Sequence, residues 1–177
     1  MQFDERHNEW DDNEFPIAYL ITFRTFGTWL HGDDRSSTRR NKRTARESKR
    51  IEPNVPFEDS MREEMKQDAV VLNRKQRIAV QQAIKEYCKT KGYILFAINV
   101  RTNHVHIVVG VKASPERVVD SIKAAATKRL RELGLVTEDK KIWSRGRSRK
   151  YLWRSAQVAG AIDYVLYAQS DMPFDLD

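Results

Sequence analysis

Two β-branched runs, residues 93–100 and 104–111, are separated only by Arg101, Thr102 and Asn103. A connection that short forces them into an antiparallel hairpin, because parallel strands need a crossover of a dozen or more residues. Helical patterns flank the hairpin on both sides. Asn73 stands as an N-cap before residues 74–89, where Ile78, Ala79, Gln82, Ala83 and Tyr87 recur at helical spacing, and Gly92 closes the segment. Ser114, as N-cap, followed by Pro115, opens a second helix that runs to Leu133 and stops at Gly134. Upstream, residues 17–24 are β-branched and aromatic and read as a first strand, and residues 57–67 as a short helix. Trp143 and residues 150–153 supply a short fourth strand. Ser155 then caps a last helix over 156–169. Strand, helix, hairpin, helix, strand is the order of an α+β, ferredoxin-like (split βαβ) antiparallel sheet with helices on one face, here followed by a C-terminal helix.

At 177 residues the chain reads as one domain, 1–177, long enough to bury a core without staples. A single cysteine, Cys88, excludes an intrachain disulfide framework and a cysteine-rich zinc site, and its helical setting makes it a small buried hydrophobe. The polar, acidic start carries no secretory signal, and no apolar run approaches the roughly 20 residues that span a bilayer. A soluble, cytoplasmic protein is expected.

The net charge is +7, and it is unevenly placed. Residues 33–56 are basic and polar and contain Pro53 and Pro56, so they read as a mobile insertion outside the core. A second run, Arg145, Arg147, Arg149, Lys150 and Arg154, contains no acid and is interleaved with Trp143, Tyr151 and Trp153. Cations attract phosphates and aromatic rings stack on bases, so this run suits a single-stranded nucleic acid. Arg24 and Arg101 join the set of expected phosphate contacts, with Arg147, Arg149, Lys150, Tyr151 and Trp153.

The hairpin's second strand carries His104-Val105-His106. Residues two apart on a strand share a face with Cα atoms about 6.6 Å apart, close enough for two imidazoles to chelate one ion. With Val105, Ile107 and Val109 turned toward the helices, His104, His106 and Val108 face the open floor of the sheet. A catalytic ion needs about three protein ligands and open positions. Beside single-stranded nucleic acid, such an ion is aimed at a phosphate, where it acts as a Lewis acid. Asn103 is placed either to form the turn or to orient His104. The last helix offers Asp163, Tyr164, Tyr167 and Gln169. Tyrosine suits strand transfer, because a phosphotyrosine stores the bond energy for rejoining.

Four segments, 19–33 (YLITFRTFGTWLHGD), 99–109 (NVRTNHVHIVV), 150–153 (KYLW) and 164–169 (YVLYAQ), resemble the HUH endonucleases. Within these the chain is similar to the single-tyrosine insertion-sequence transposases, and to their branch of REP-associated tyrosine transposases. The resemblance implies His104 and His106 as ligands of Mg²⁺ or Mn²⁺, and Gln169 as the third ligand. It implies Tyr164 as the nucleophile that attacks a DNA phosphate, leaving a 5′-phosphotyrosine and a free 3′-hydroxyl. Gln169 lies five residues after Tyr164, about 140° round an unbroken helix, so it reaches the same ion only if the helix ends or bends. Asp163 is the rival ligand and Tyr167 the rival nucleophile. Trp29 and His31 are expected to shape the pocket edge or the core. The implied partner is single-stranded DNA beside a hairpin, with no membrane, and the protein is a monomer or a homodimer. Two other readings share these residues. One is a non-catalytic single-stranded DNA or RNA module. The other is a replication-initiator-type nickase, whose usual extensions 177 residues leave little room for.

Overall fold

In a computed structural model of the chain, residues 15–28, 37–38, 50–51 and 54–168 are described. Their elements run β1 (Ala18–Thr25), β2 (Ser37–Thr38), β3 (Arg50–Ile51), α1 (Val55–Glu63), α2 (Arg74–Lys91), β4 (Ile94–Val100), β5 (His104–Gly110), α3 (Pro115–Glu132), β6 (Trp143–Leu152) and α4 (Ser155–Leu166). Four strands form one sheet in the order β4-β5-β1-β6, and every neighbouring pair is antiparallel. The β4–β5 hairpin delivers β5 to the centre beside β1, which is the ferredoxin-like arrangement.

Local sequence explains most of the boundaries. Asn73 accepts from the Gln76 amide while the Gln76 side chain accepts from the Asn73 amide, a reciprocal box that starts α2. Gly92 ends the helix in the left-handed region at φ 67°, where a side chain would be strained. Pro115 opens α3, as expected. Ser114 does not cap it through its side chain, because its hydroxyl donates instead to Glu116 at 2.7 Å. Of the expected insertion 33–56, Ser37–Thr38 pairs with Arg50–Ile51 and α1 already begins at Val55; its other residues, apart from Asn54, lie outside the described ones.

The sheet carries a core on each face. Toward α2 and α3, Tyr19, Ile21 and Phe23 from β1 and Val105, Ile107 and Val109 from β5 pack with Val80, Ile84, Ile122 and Leu130. Cys88 lies in this layer, and burial pushes its thiol up to about 11, as befits an inert hydrophobe. On the opposite face, Ala18, Ala97, Val108 and Leu152 meet Val158, Ala161 and Val165 of α4. Those three helical residues stand at i, i+3 and i+7, so one apolar stripe docks the helix. The histidine face is therefore not an open floor along its length, since α4 covers Val108.

The fourth strand is longer than expected, ten residues rather than a short 150–153 segment. Four of its ten residues are cations, and the pairing with β1 makes it a strand. Between Phe23↔Arg147 and Thr25↔Trp143 the ladder is irregular, with Ser144, Arg145 and Gly146 standing opposite Arg24 alone. Lys123 of α3 ties this bulge down by donating to the carbonyls of Ser144 (2.9 Å) and Gly146 (3.3 Å). Partial burial lowers the Lys123 ammonium to about 8. The last helix also differs at its ends. Arg154, not Ser155, is its N-cap, Gln157 Oε1 accepts from the Trp153 and Arg154 amides, and Leu166 is its final residue.

Candidate active site

Strand alternation sets the floor of the site. On β5, Val105, Ile107 and Val109 are fully buried against α2 and α3, so His104 and His106 share the face that α4 covers. Their rings meet edge to face, centroids 4.6 Å apart. His106 is only 5% exposed and His104 is half-buried.

Each imidazole is held by an oxygen at the same ring nitrogen. Thr22, directly across the ladder on β1, places its hydroxyl 2.8 Å from His106 Nδ1. Asn103 places Oδ1 2.6 Å from His104 Nδ1. Asn103 also shapes the turn, because its carbonyl accepts from the Thr25 amide and hydroxyl. A ring that donates Nδ1–H to its oxygen leaves the Nε2 lone pair for a cation, the tautomer that a metal-binding histidine uses. Burial, aided by the charges of His104, Arg101 and Arg24, pushes the His106 pKa down to about 4. The ring is neutral at pH 7, the form that ligates a metal.

Tyr164 comes from the last helix and reaches the same place. Its ring stands edge to face on His106, centroids 5.7 Å apart, and 43% of the residue is exposed. Docked by its apolar stripe, α4 lies on the sheet of its own chain, so the phenol and the imidazole pair are brought together within one chain. An orienting bond adds to this contact, since the buried Asn99 side chain donates to the Val165 carbonyl at 3.0 Å.

The other expected residues divide between the two faces. Arg24 sits opposite His104, and it and Arg101 are close enough to act on the His106 charge. Lys150 pairs with Leu20 and is exposed on the same face. Arg147, Arg149 and Tyr151 are on the face opposite the histidines. They oppose Phe23, Ile21 and Tyr19, and α3 engages the two arginines: Arg147 pairs with Asp120, and Arg149 with Glu116 at 2.9 Å. The Tyr151 ring packs edge to face on Tyr19. Counting cations along β6 ignores a period of two, which sends alternate residues to opposite faces. Trp153 leads into α4 with its amide on Gln157.

Tyr167 is the C-cap of α4 and 61% exposed, one position past the helix, whereas Tyr164 makes the ring contact with His106. Asp163 is exposed, and among the described residues no group of three or more His, Cys, Asp or Glu side chains is placed to hold a metal. Trp29, His31 and Gln169 lie outside the described residues. Sequence reading missed Thr22 and Asn99. The available signal was a lone polar residue inside an otherwise apolar strand, which must find a partner.

Among the described residues no helix is long and apolar enough to cross a membrane. The family model described as "Transposase IS200 like" matches residues 64–165, a span that takes in Asn99, both histidines and Tyr164. No curated protein matches the sequence. Among solved structures, a protein of Deinococcus radiodurans R1 described as a candidate transposase aligns with a TM-score of 0.49 and 11% identity, over 87% of this chain and 92% of that one. A second, described as a REP-associated tyrosine transposase bound to a REP hairpin, aligns with a TM-score of 0.45 and 12% identity, over 86% and 68%.

Proposed function

The chain belongs to the IS200-like transposase family, and from that premise we propose that it is a metal-dependent single-stranded DNA endonuclease and strand transferase, cutting beside a hairpin through a 5′-phosphotyrosine. One observation carries the reading. A tyrosine on a helix that follows the sheet meets, ring to ring, one of two adjacent imidazoles on the central strand. Packing alone gives no reason to collect two imidazoles and a half-exposed phenol on one face of a sheet.

His104 and His106 would hold Mg²⁺ or Mn²⁺, with Gln169 the candidate for a third protein ligand. Their donor chemistry fits, because both rings have Nδ1 occupied by protein oxygen, and imidazole accepts either ion less selectively than an all-oxygen site does. When bound, the ion polarises the scissile phosphate. The chain's own groups do the rest. Arg24, Arg101 and Lys150 line the approach and attract the DNA backbone. The Tyr164 oxygen attacks phosphorus, losing its proton, while the P–O3′ bond breaks and the 3′-oxygen takes up a proton. The phosphotyrosine so formed keeps one phosphodiester's worth of bond energy, and a 3′-hydroxyl can later reverse the step. Preference for a hairpin rests on the resemblance of residues 19–169 to the REP-associated branch.

The test is direct. A short-flanked hairpin oligonucleotide, incubated with protein and Mg²⁺ and run on a denaturing protein gel, should give a covalently shifted band. Tyr164→Phe should give none, and His106→Ala should lose the band while DNA binding largely survives, since phosphate contacts dominate affinity. A Tyr164→Phe band equal to wild type would sink the nucleophile assignment. Binding without any metal-dependent band would favour a non-catalytic module.

A further inference from the structure

Asn99 is an amide in the most buried stretch of an edge strand, and it is 1% exposed. It stands directly across the ladder from His106, on the face that α4 covers. Its Nδ2 donates to the Val165 carbonyl at 3.0 Å, a contact 66 residues apart in the chain. Val165 is the penultimate residue of α4, so its carbonyl is one of the last four that a helix cannot satisfy from within.

The end of α4 lacks the usual stop devices. Its C-cap is Tyr167 at φ −122°, not a left-handed glycine, and its last turn holds no basic residue. The sheet supplies the missing donor instead, one residue after Tyr164 and one ladder position from His106. This matters because the packing that docks the helix on the sheet is an apolar stripe. Val158, Ala161 and Val165 fix how closely α4 lies on the sheet, but apolar packing is not directional. A helix turns 100° per residue, so a small rotation would carry the Tyr164 ring off His106. A directional hydrogen bond from this buried position on β4 opposes that rotation.

We propose that Asn99 is the positioning residue for the nucleophile: its side-chain amide pins the last turn of α4 to the sheet and holds the Tyr164 phenol over His106. The proposal rests on the reading of Tyr164 as nucleophile, and it adds a residue that touches neither DNA nor metal. Leucine at this position would keep the volume and lose the donor. Serine would keep a hydroxyl but not the reach.

Asn99→Leu and Asn99→Ser are compared with wild type by amide hydrogen exchange, Mn²⁺ and DNA affinity, and rate of covalent adduct formation at saturating hairpin oligonucleotide. Exchange in the last turn of α4 should speed up by about tenfold or more, with α2 unchanged. Adduct formation should slow by roughly tenfold to a hundredfold, the usual effect of misplacing a reacting group by about 1 Å. Mn²⁺ and DNA affinities should stay within about twofold, because no ligand or phosphate contact is removed. If the leucine variant does not fold, the serine variant carries the same comparison. Wild-type exchange at the end of α4, or a rate loss matched by equal losses in DNA and Mn²⁺ affinity, would overturn the proposal. If wild type itself forms no adduct, the nucleophile reading fails, and hydrogen exchange alone then decides whether Asn99 holds the helix.

Discussion

Replacing Thr22 by valine tests how the sheet prepares a histidine for a metal. The change swaps a hydroxyl for a methyl at nearly constant shape, so the β1 ladder and its packing survive. What disappears is the 2.8 Å contact with Nδ1 of His106, in a ring only 5% exposed and with little access for water. A buried donor left without an acceptor costs about 1–3 kcal/mol. The same contact selects the tautomer and orientation of the ring. Outer partners of this kind are typically worth 10- to 100-fold in metal affinity, which is about 1.4–2.8 kcal/mol. The two quantities are measured separately. Urea unfolding of the metal-free protein should show a lower midpoint with an unchanged slope, because the surface exposed on unfolding is the same. Titration calorimetry with Mn²⁺ should show affinity weaker by about 10- to 100-fold, with Thr22→Ser near wild type. Wild-type Mn²⁺ affinity in Thr22→Val would refute the role of Thr22 in preparing His106. A serine variant as weak as the valine one would assign the loss to packing instead.

Other expectations concern charge and backbone. The His106 pKa is lowered from 6.5 to about 4 by burial first, then by nearby positive charge. The unfolded chain therefore takes up that proton first as pH falls, and metal-free protein should lose stability from about pH 6.5 down to about pH 4. The loss approaches roughly 3 kcal/mol, and His106→Leu should remove that part of the pH slope in urea unfolding. Lys150→Ala should lower the salt dependence of hairpin binding by about one phosphate contact. Arg149→Ala should leave DNA binding near wild type and cost at most about 1 kcal/mol of stability, because Glu116 on α3 engages that guanidinium; an equal effect on DNA binding from both would refute the division between faces. Gly27 sits at φ +71°, and a Cβ there would lie 2.9 Å from Met65 Sδ and 3.0 Å from Ala69 Cα. Gly27→Ala should therefore cost more than about 1 kcal/mol in thermal or urea unfolding.

What the sequence made legible follows from the range of each signal. Period-two alternation put Val105, Ile107 and Val109 on one face and the histidines on the other, and Asn73 and Gly92 bounded α2, because these signals act within a few residues. The layer that α4 occupies was not legible. Its stripe of Val158, Ala161 and Val165 announces a buried side without saying which face of the sheet receives it. The full length of β6 was hidden for a similar reason. Its charged sequence becomes a strand through pairing with β1, and register alone decides that Lys150 faces the histidines while Arg147 and Arg149 face α3. Thr22 and Asn99 were visible as polar residues in apolar strands, but their partners are 84 and 66 residues away. Gln169 stays an expectation, since it lies outside the described residues.

The central claim is that Tyr164, docked over His106, takes the DNA strand. Its most direct measurement is the mass spectrum of the covalent product. A wild-type adduct formed with hairpin oligonucleotide and Mg²⁺ is digested with nuclease and trypsin, and the C-terminal peptide holding both Tyr164 and Tyr167 is fragmented. The account predicts a phosphonucleotide on Tyr164 and an unmodified Tyr167. A phosphonucleotide on Tyr167, or on any residue away from α4, would contradict it.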